Sequence, residues 1–456
     1  MFKNKAAFVS ALLAFVTQLL IVQHYAAHSW FWTDEIFSSL SVLRISTWEY
    51  LKGNASEGNC APLFYLILKA LLYLQKPLAA WIPDPIPFLR FFTAVLPTAV
   101  FVAAATKRAF EIPAKNYHKW LAALGTFLAL NGTHGLFAYS WQARPYALWA
   151  CFTWVFLEAV VMEIRNRGHE RRLSLSAFLL GITTPLAFLQ IALGWAALLL
   201  FLEGHLKARF RTALVMLPGL LAGAYYAAKV PGHYAYVWPG LYGALLLVTA
   251  HAKYWMVLPT LLFLAPVVRN RRGQALLFLL AGVAAIAAAT TLNLYLRRSA
   301  GPAFTISNRY YFFLLPSLSV LFLEALAEAA ATKVRWLQPL AITVFVLIGA
   351  LGAQRFLHER PTFAGPPIAE LMKAQLQGVS VATGQTKCFC MENQAGMADI
   401  DFWGGYLLWF RSLDNGCSEY FGLTAKYEAG YRSALLNPTG RKRSPQHLDT
   451  TYGCGG

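Results

Sequence analysis

Two adjacent carboxylates, Asp34-Glu35, follow the first long apolar segment and sit inside a tryptophan-rich stretch, Ser29-Trp30-Phe31-Trp32-Thr33-Asp34-Glu35-Ile36-Phe37. Ionised groups are costly beside hydrocarbon, so acids at a membrane edge mark a functional site by default. Cations that could face them lie far downstream. Arg90 is one, Arg144 sits in the turn Ser140-Trp141-Gln142-Ala143-Arg144-Pro145-Tyr146, and Arg297, Arg298 and Arg309 flank Ser307-Asn308. Singly, each has a structural explanation: a hydrated loop for the acids, a snorkelling interfacial side chain for Arg90, a turn cation for Arg144, a phospholipid anchor for Arg309. Together they suit one chemistry. A sugar carried on a polyprenyl phosphate has a good leaving group, which needs cations to steady its growing charge and no general acid. The planar fork of arginine matches phosphate oxygens, and a carboxylate can take the proton of an attacking hydroxyl. One base opposite one leaving phosphate implies inversion at the anomeric carbon.

The elements that must position these residues are membrane helices. The chain is 57% hydrophobic and 13% charged, with mean hydropathy +0.47, whereas soluble domains carry roughly 25% charged residues. Apolar runs such as 6–26 and 274–291 are long enough to cross a bilayer, and the 15% aromatic content suits interfacial belts. The net charge of +18 does not point to nucleic acid, because the basic residues fall in short clusters between apolar runs: Lys107/Arg108/Lys115/Lys119, Arg165/Arg167/Arg171/Arg172, Lys207/Arg209/Arg211, Arg269/Arg271/Arg272 and Lys333/Arg335. Such clusters mark cytoplasmic loops.

Placing them all on one side gives eleven helices, at about 6–26, 88–106, 120–138, 146–164, 173–186, 188–204, 212–230, 252–268, 274–292, 310–329 and 336–354. The N-terminus is then cytoplasmic and the C-terminus extracytoplasmic. The first segment is read as a span and not a cleaved signal, being long for one and closely followed by the acids. Residues 27–87 form a long outer loop. Within it, 62–81 is expected to lie on the outer surface as an interfacial helix with Lys69 and Lys76 on its wet side. Residues 34–50 are a second such candidate, with Phe37, Leu40, Leu43 and Trp48 near helical spacing.

Residues 355–456 change character and read as a small α/β domain outside the membrane, opened by Pro366-Pro367 and a helix bearing Ile368, Leu371, Met372 and Leu376, then a strand at 379–382. Four of the six cysteines, Cys388, Cys390, Cys417 and Cys454, lie there. An even number in an exported domain implies two disulfides of open connectivity; a zinc site is the rival, though C-x-C is a poor match to the usual knuckle. Cys151 reads as inert helix packing. The sequons Asn54-Ala55-Ser56 and Asn131-Gly132-Thr133 read as chance matches.

Residues 1–330 resemble the polytopic GT-C glycosyltransferases, specifically the group of protein O-mannosyltransferases and lipid A aminoarabinose transferases. The resemblance rests on the Asp-Glu pair after helix one, on Ala61-Pro62-Leu63-Phe64-Tyr65 in the same outer loop, on Leu89-Arg90-Phe91-Phe92 opening the next helix, on Gln142-Ala143-Arg144-Pro145-Tyr146, and on Arg309-Tyr310 followed by Leu315-Pro316. It implies a GT-C membrane domain over 1–354, facing the periplasm or lumen from the plasma (inner) membrane, with Asp34 as catalytic base and Glu35 as the acid beside it. It also implies that Arg90, Arg144 and Arg309 engage the donor or hold the site, and Tyr146 and Arg297 are read as donor-binding candidates beside them. The partners implied are a polyprenyl-phosphate sugar donor, a lipid, glycan or protein acceptor, and membrane lipids. Two departures stand out. Asn59-Cys60-Ala61 replaces the histidine that many relatives carry before the Pro-Leu element, and no β-trefoil insertion is present, which disfavours a fungal-type protein acceptor. A divalent cation between Asp34 and Glu35 stays open, with no clear third ligand.

Rival readings follow from the same residues. A transporter or flippase of lipid-linked sugars wants polar groups mid-membrane and internal repeats; here the polar groups gather at helix ends and no repeat is visible. A non-catalytic subunit of a glycan-assembly complex would not need the intact acids and arginines. A membrane acyltransferase wants a histidine base, and His134, His233 and His251 have no fitting context.

Overall fold

A computed structural model describes residues 5–28, 35, 38, 42, 45–54, 61–78, 85–113, 115–133, 136, 140–229, 254–298, 311–331 and 336–358, excepting the side chains at 27–28, 76, 85–86, 254–258, 291–298 and 355–358. The disulfide candidates Cys388, Cys390, Cys417 and Cys454 and the expected α/β domain lie outside these residues. Among the described residues the protein is helical, without strands.

The helices are α1 (Lys5–His28), α2 (Thr47–Leu51) and α3 (Leu63–Leu78), then α4, which joins Pro85–Arg90, a π-helical turn Phe91–Val95 and Leu96–Phe110. They continue as α5 (Asn116–Asn131), α6 (Tyr146–Asn166), α7 (Glu170–Gly181), α8 (Ala187–Phe201), α9 (Leu206–Leu214), α10 (Leu217–Ala228), α11 (Tyr254–Leu264), α12 (Arg271–Arg298), α13 (Leu314–Ala331) and α14 (Leu337–His358). Among the described residues six stretches are long and apolar enough to cross a bilayer: Lys5–Ala26, Pro87–Phe110, Tyr146–Asn166, Arg271–Thr290, Leu314–Ala331 and Leu337–Gln354. The chain is a helical membrane protein. Where one helix was expected over 212–230 there are two, α9 and α10. Pro218 lacks an N–H and sits in the first turn of the second, where none is needed.

Hydrophobic burial alone does not drive helices together in lipid; close backbone approach does. Glycine supplies it. A Cβ at Gly132, which caps α5, would sit 2.7 Å from the Gly352 Cα of α14, and one at Gly181 of α7 would sit 2.3 Å from the Gly219 carbonyl oxygen of α10. Buried amides add directional contacts. Asn131 donates to Gln18 Oε1 of α1 at 2.8 Å, and Gln190 of α8 accepts from Trp149 Nε1 and donates to Thr153 of α6. Exposed Leu12, Leu13, Val16 and Leu20 leave one side of α1 for lipid.

The bundle has two polar ends. At one, Glu324 of α13 pairs with Arg108 of α4 and, at 3.8 Å, with Arg165 of α6, while Glu328 faces Arg165 at 3.4 Å and Arg272 of α12 at 3.8 Å. Arg90 marks the other end. It is eighteen residues before Arg108 on the same helix, about 27 Å at 1.5 Å per residue, close to a hydrocarbon thickness.

At the Arg90 end the segment between α1 and α4 is tied to the bundle. Leu63 N–H donates to Ile182 O beyond α7, and Tyr225 and Tyr226 of α10 donate their hydroxyls to Lys52 O and Leu51 O. The Tyr50 ring stacks on Tyr65 at 5.0 Å. Helix α3 buries Phe64, Tyr65, Leu68, Leu71, Leu72 and Gln75 and exposes Tyr73 and Leu74, an amphipathic pattern. Lys69, expected on its wet side, donates to Ile45 O at 2.7 Å, and Trp48 is exposed.

Candidate functional site

Glu35, Ser38 and Val42 are helical, fully buried, and spaced to share one face. That face meets the turn between α5 and α6. Glu35 Oε1 accepts from Arg90 Nε at 3.0 Å and from the Ala143 N–H at 2.5 Å, and Glu35 Oε2 accepts from Arg90 Nη2 at 2.8 Å. Arg90 Nη1 donates to Ala26 O at 2.6 Å near the end of α1, and the guanidinium lies 4.9 Å over the Trp141 ring. One turn along from Glu35, Ser38 Oγ accepts from Arg144 Nη1 at 2.5 Å. Three segments of the sequence pattern, Glu35, Arg90 and Gln142-Ala143-Arg144-Pro145-Tyr146, therefore form one buried knot.

The local sequence explains the geometry. Pro145 opens α6 from a turn in which Arg144 N–H reaches back to Gln142 O at 2.7 Å. This turn presents the Ala143 N–H outward to Glu35. Directly after Arg90 the backbone widens into the π turn, within which Thr93 donates its hydroxyl to Leu89 O at 2.8 Å. Such turns insert one residue into a helix and recur at functional sites.

Two of the expected site residues are held by the knot. Arg90, expected to engage the donor or hold the site, is fully buried and spends its head group on Glu35, Ala26 O and Trp141. A desolvated guanidinium needs a counter-charge, and Glu35 supplies it. Glu35, expected as the acid beside the base, has both oxygens filled by N–H donors. Facing a guanidinium across both oxygens also makes it a poor cation ligand, and among the described residues no three His, Cys, Asp or Glu side chains group as a metal site.

Arg144 is buried at 8% exposure beside the Tyr146 ring. Tyr146 meets Phe312 edge-on at 6.1 Å, and Trp149, one turn on, stacks on Phe313 at 5.8 Å. These contacts bring the start of α13 to the same end. Asp34 and Arg309 lie outside the described residues. Arg297 is in the last turn of α12, its side chain also outside them.

Sequence reasoning missed Ser38, Trp141, the Ala143 N–H and Ala26 O. Only Ser38 left a signal, its i+3 spacing from Glu35. Both sequon asparagines use their side-chain amides internally, Asn54 on Glu49 and Asn131 on Gln18. Cys151 of α6 is a half-buried free thiol.

Comparison with models of known protein families and with curated protein sequences finds nothing that matches the chain.

Proposed function

We propose that the chain is an integral-membrane inverting glycosyltransferase that moves a monosaccharide from a polyprenyl phosphate to a hydroxyl acceptor. The observation that carries this reading is the knot itself. Glu35 is engaged on both oxygens by Arg90 and Ala143, and Asp34, next to it in the chain, is the carboxylate assigned to the chemistry. In the reaction the acceptor oxygen bonds to the anomeric carbon as the bond from that carbon to the phosphate oxygen breaks. The acceptor proton passes to Asp34, and the carrier leaves as polyprenyl phosphate. Arg144, Arg297 and Arg309, together with Tyr146, are the residues assigned to that phosphate; Arg90 and Glu35 are the brace. The fine topology of this reading is a GT-C domain of eleven crossings, with the acids and a disulfide-bonded α/β domain on the extracytoplasmic face of the plasma membrane. The amphipathic α3 supports an interfacial outer loop, where a prenyl carrier would approach.

Lipid-resolved mass spectrometry of membranes with and without the gene, with an Asp34→Asn rescue, tests the proposal. Accumulation of a polyprenyl-phosphate monosaccharide on deletion, cleared by wild type alone, is the expected result, and the missing glycoconjugate names the acceptor. Unchanged lipid-linked sugars, or full rescue by the variant, would sink the transfer mechanism and turn attention to transport.

A further inference from the structure

Three guanidinium groups converge on the C-terminal end of α8, at the polar end opposite Arg90. Arg209 of α9 donates Nε to Gly204 O at 2.9 Å and Nη1 to Leu199 O and Leu200 O at 3.2 and 3.4 Å. Arg271 of α12 donates Nη2 to Leu202 O at 2.8 Å and to Leu200 O at 3.4 Å. Arg167 closes the corner, its Nη2 2.5 Å from where a Cβ on Gly204 would stand. Among the described residues none of the three forms an ion pair.

The nearby acids are engaged elsewhere. Glu324 and Glu328 hold Arg108, Arg165 and Arg272; Glu158 holds Arg172; Glu163 accepts from the His169 N–H and Glu170 from Thr212. Glu203 is exposed and pairs with none of the three. The end of a helix offers roughly half a negative charge, against three full positive ones. The carbonyls at and just beyond the end of α8 fix two of the forks, yet Nη2 of Arg209 and Nε and Nη1 of Arg271 keep donors without an acceptor among the described residues.

An apolar stripe lies alongside. Leu206, Phe210 and Leu214 are exposed at successive four-residue steps of α9, with Lys207 and Arg211 beside them, and Phe210 rests 6.1 Å from the Trp195 ring of α8. A short, strongly charged helix with an exposed apolar stripe lies in a membrane interface, and basic pockets between helices bind anionic headgroups there.

We infer that this corner binds an anionic phospholipid, its phosphate held by Arg167, Arg209 and Arg271 and its acyl chain laid along Leu206 and Phe210. The guanidinium fork suits phosphate oxygens, and the site is independent of any transfer chemistry at the opposite end.

Native mass spectrometry of the full-length protein, released from mixed micelles holding equal phosphatidylglycerol and phosphatidylcholine, tests this. Wild type is expected to retain phosphatidylglycerol preferentially. Each arginine removed weakens retention about fivefold, so Arg209→Gln/Arg271→Gln loses about 25-fold. Arg167→Gln breaks no contact with a carbonyl and decides the matter if the double variant fails to fold; about fivefold weaker retention is expected of it. Equal retention of both lipids by wild type, unchanged retention in Arg167→Gln, or displacement of the lipid by millimolar inorganic phosphate would each overturn the assignment.

Discussion

The guanidinium of Arg90 and the carboxylate of Glu35, 55 residues apart in the chain, meet through two hydrogen bonds with neither head group reaching solvent. Removing one partner strands the other as a buried charge, which costs about 3–5 kcal/mol. Arg90→Ala and Glu35→Gln are each expected to lower thermal stability in detergent strongly. The double variant should lose clearly less than the sum of the two, because the pair is one unit. Additive losses would mean that the two residues act separately.

Asp34→Asn separates chemistry from bracing. The substitution keeps shape and removes basicity, and loss of a positioned base costs about 10²–10⁴-fold in rate. Transfer from the lipid-linked donor should fall by that much at unchanged melting temperature, whereas Glu35→Gln should lower both. An Asp34→Asn enzyme with wild-type turnover assigns the proton to another group.

Ser38 orients Arg144 through a charge-assisted hydrogen bond, a contact worth about 1.5 kcal/mol or more. Ser38→Ala should weaken donor use about tenfold with turnover at saturating donor little changed, and Arg144→Ala should weaken it further. Steady-state kinetics against donor concentration checks this; an unchanged donor KM in Arg144→Ala would remove that residue from the site.

Glu324 faces both Arg108 and Arg165 from a position 3% exposed. Glu324→Gln should therefore cost stability on the scale of a broken buried pair, about 3 kcal/mol. Hydrogen exchange should rise at the adjoining ends of α4, α6 and α13 while 140–146 stays protected. Loss of protection at 140–146 alone would contradict the placement of this cluster at the opposite end.

Glu49 titrates below the ordinary carboxylate range, held there first by the Asn54 amide and then by Lys52. A depressed folded value means its contribution is present above the unfolded value and is lost as pH falls through the folded one. Protection of 46–54 should thus decline as pH falls below the ordinary carboxylate range, and an Asn54→Ala variant should begin losing it at higher pH. The same pH profile in both proteins would exclude the Asn54 contact as the cause.

Much of the helical organisation is legible in the sequence, because long apolar runs and the basic clusters between them report helix positions directly. Helices occur in each of the eleven segments expected, with ends shifted by up to seven residues and one segment broken just before Pro218, and six of the described stretches are long and apolar enough to cross a bilayer. The gathering of Glu35, Arg90 and Arg144 at one end follows from the same alternation. What the pattern does not report is who pairs with whom. Arg90 and Arg144 look alike as letters, yet Arg90 spends its fork on Glu35 while Arg144 gives one donor to Ser38, and the first of these depends on how α4 is rotated in the bundle. The backbone N–H of Ala143 carries no side-chain signature, and the π turn has none that spacing reveals.

That π turn sets the phase of Arg90 independently of the rest of α4. A regular α-helix advances about 100° per residue, so one residue removed between Phe91 and Val95 would swing Arg90 about that far around the axis, away from Glu35, while Arg108 stayed opposite Glu324. The two ends of the helix are thus geared separately. Insertions or deletions at this single turn retune one end of the molecule and leave the other in register.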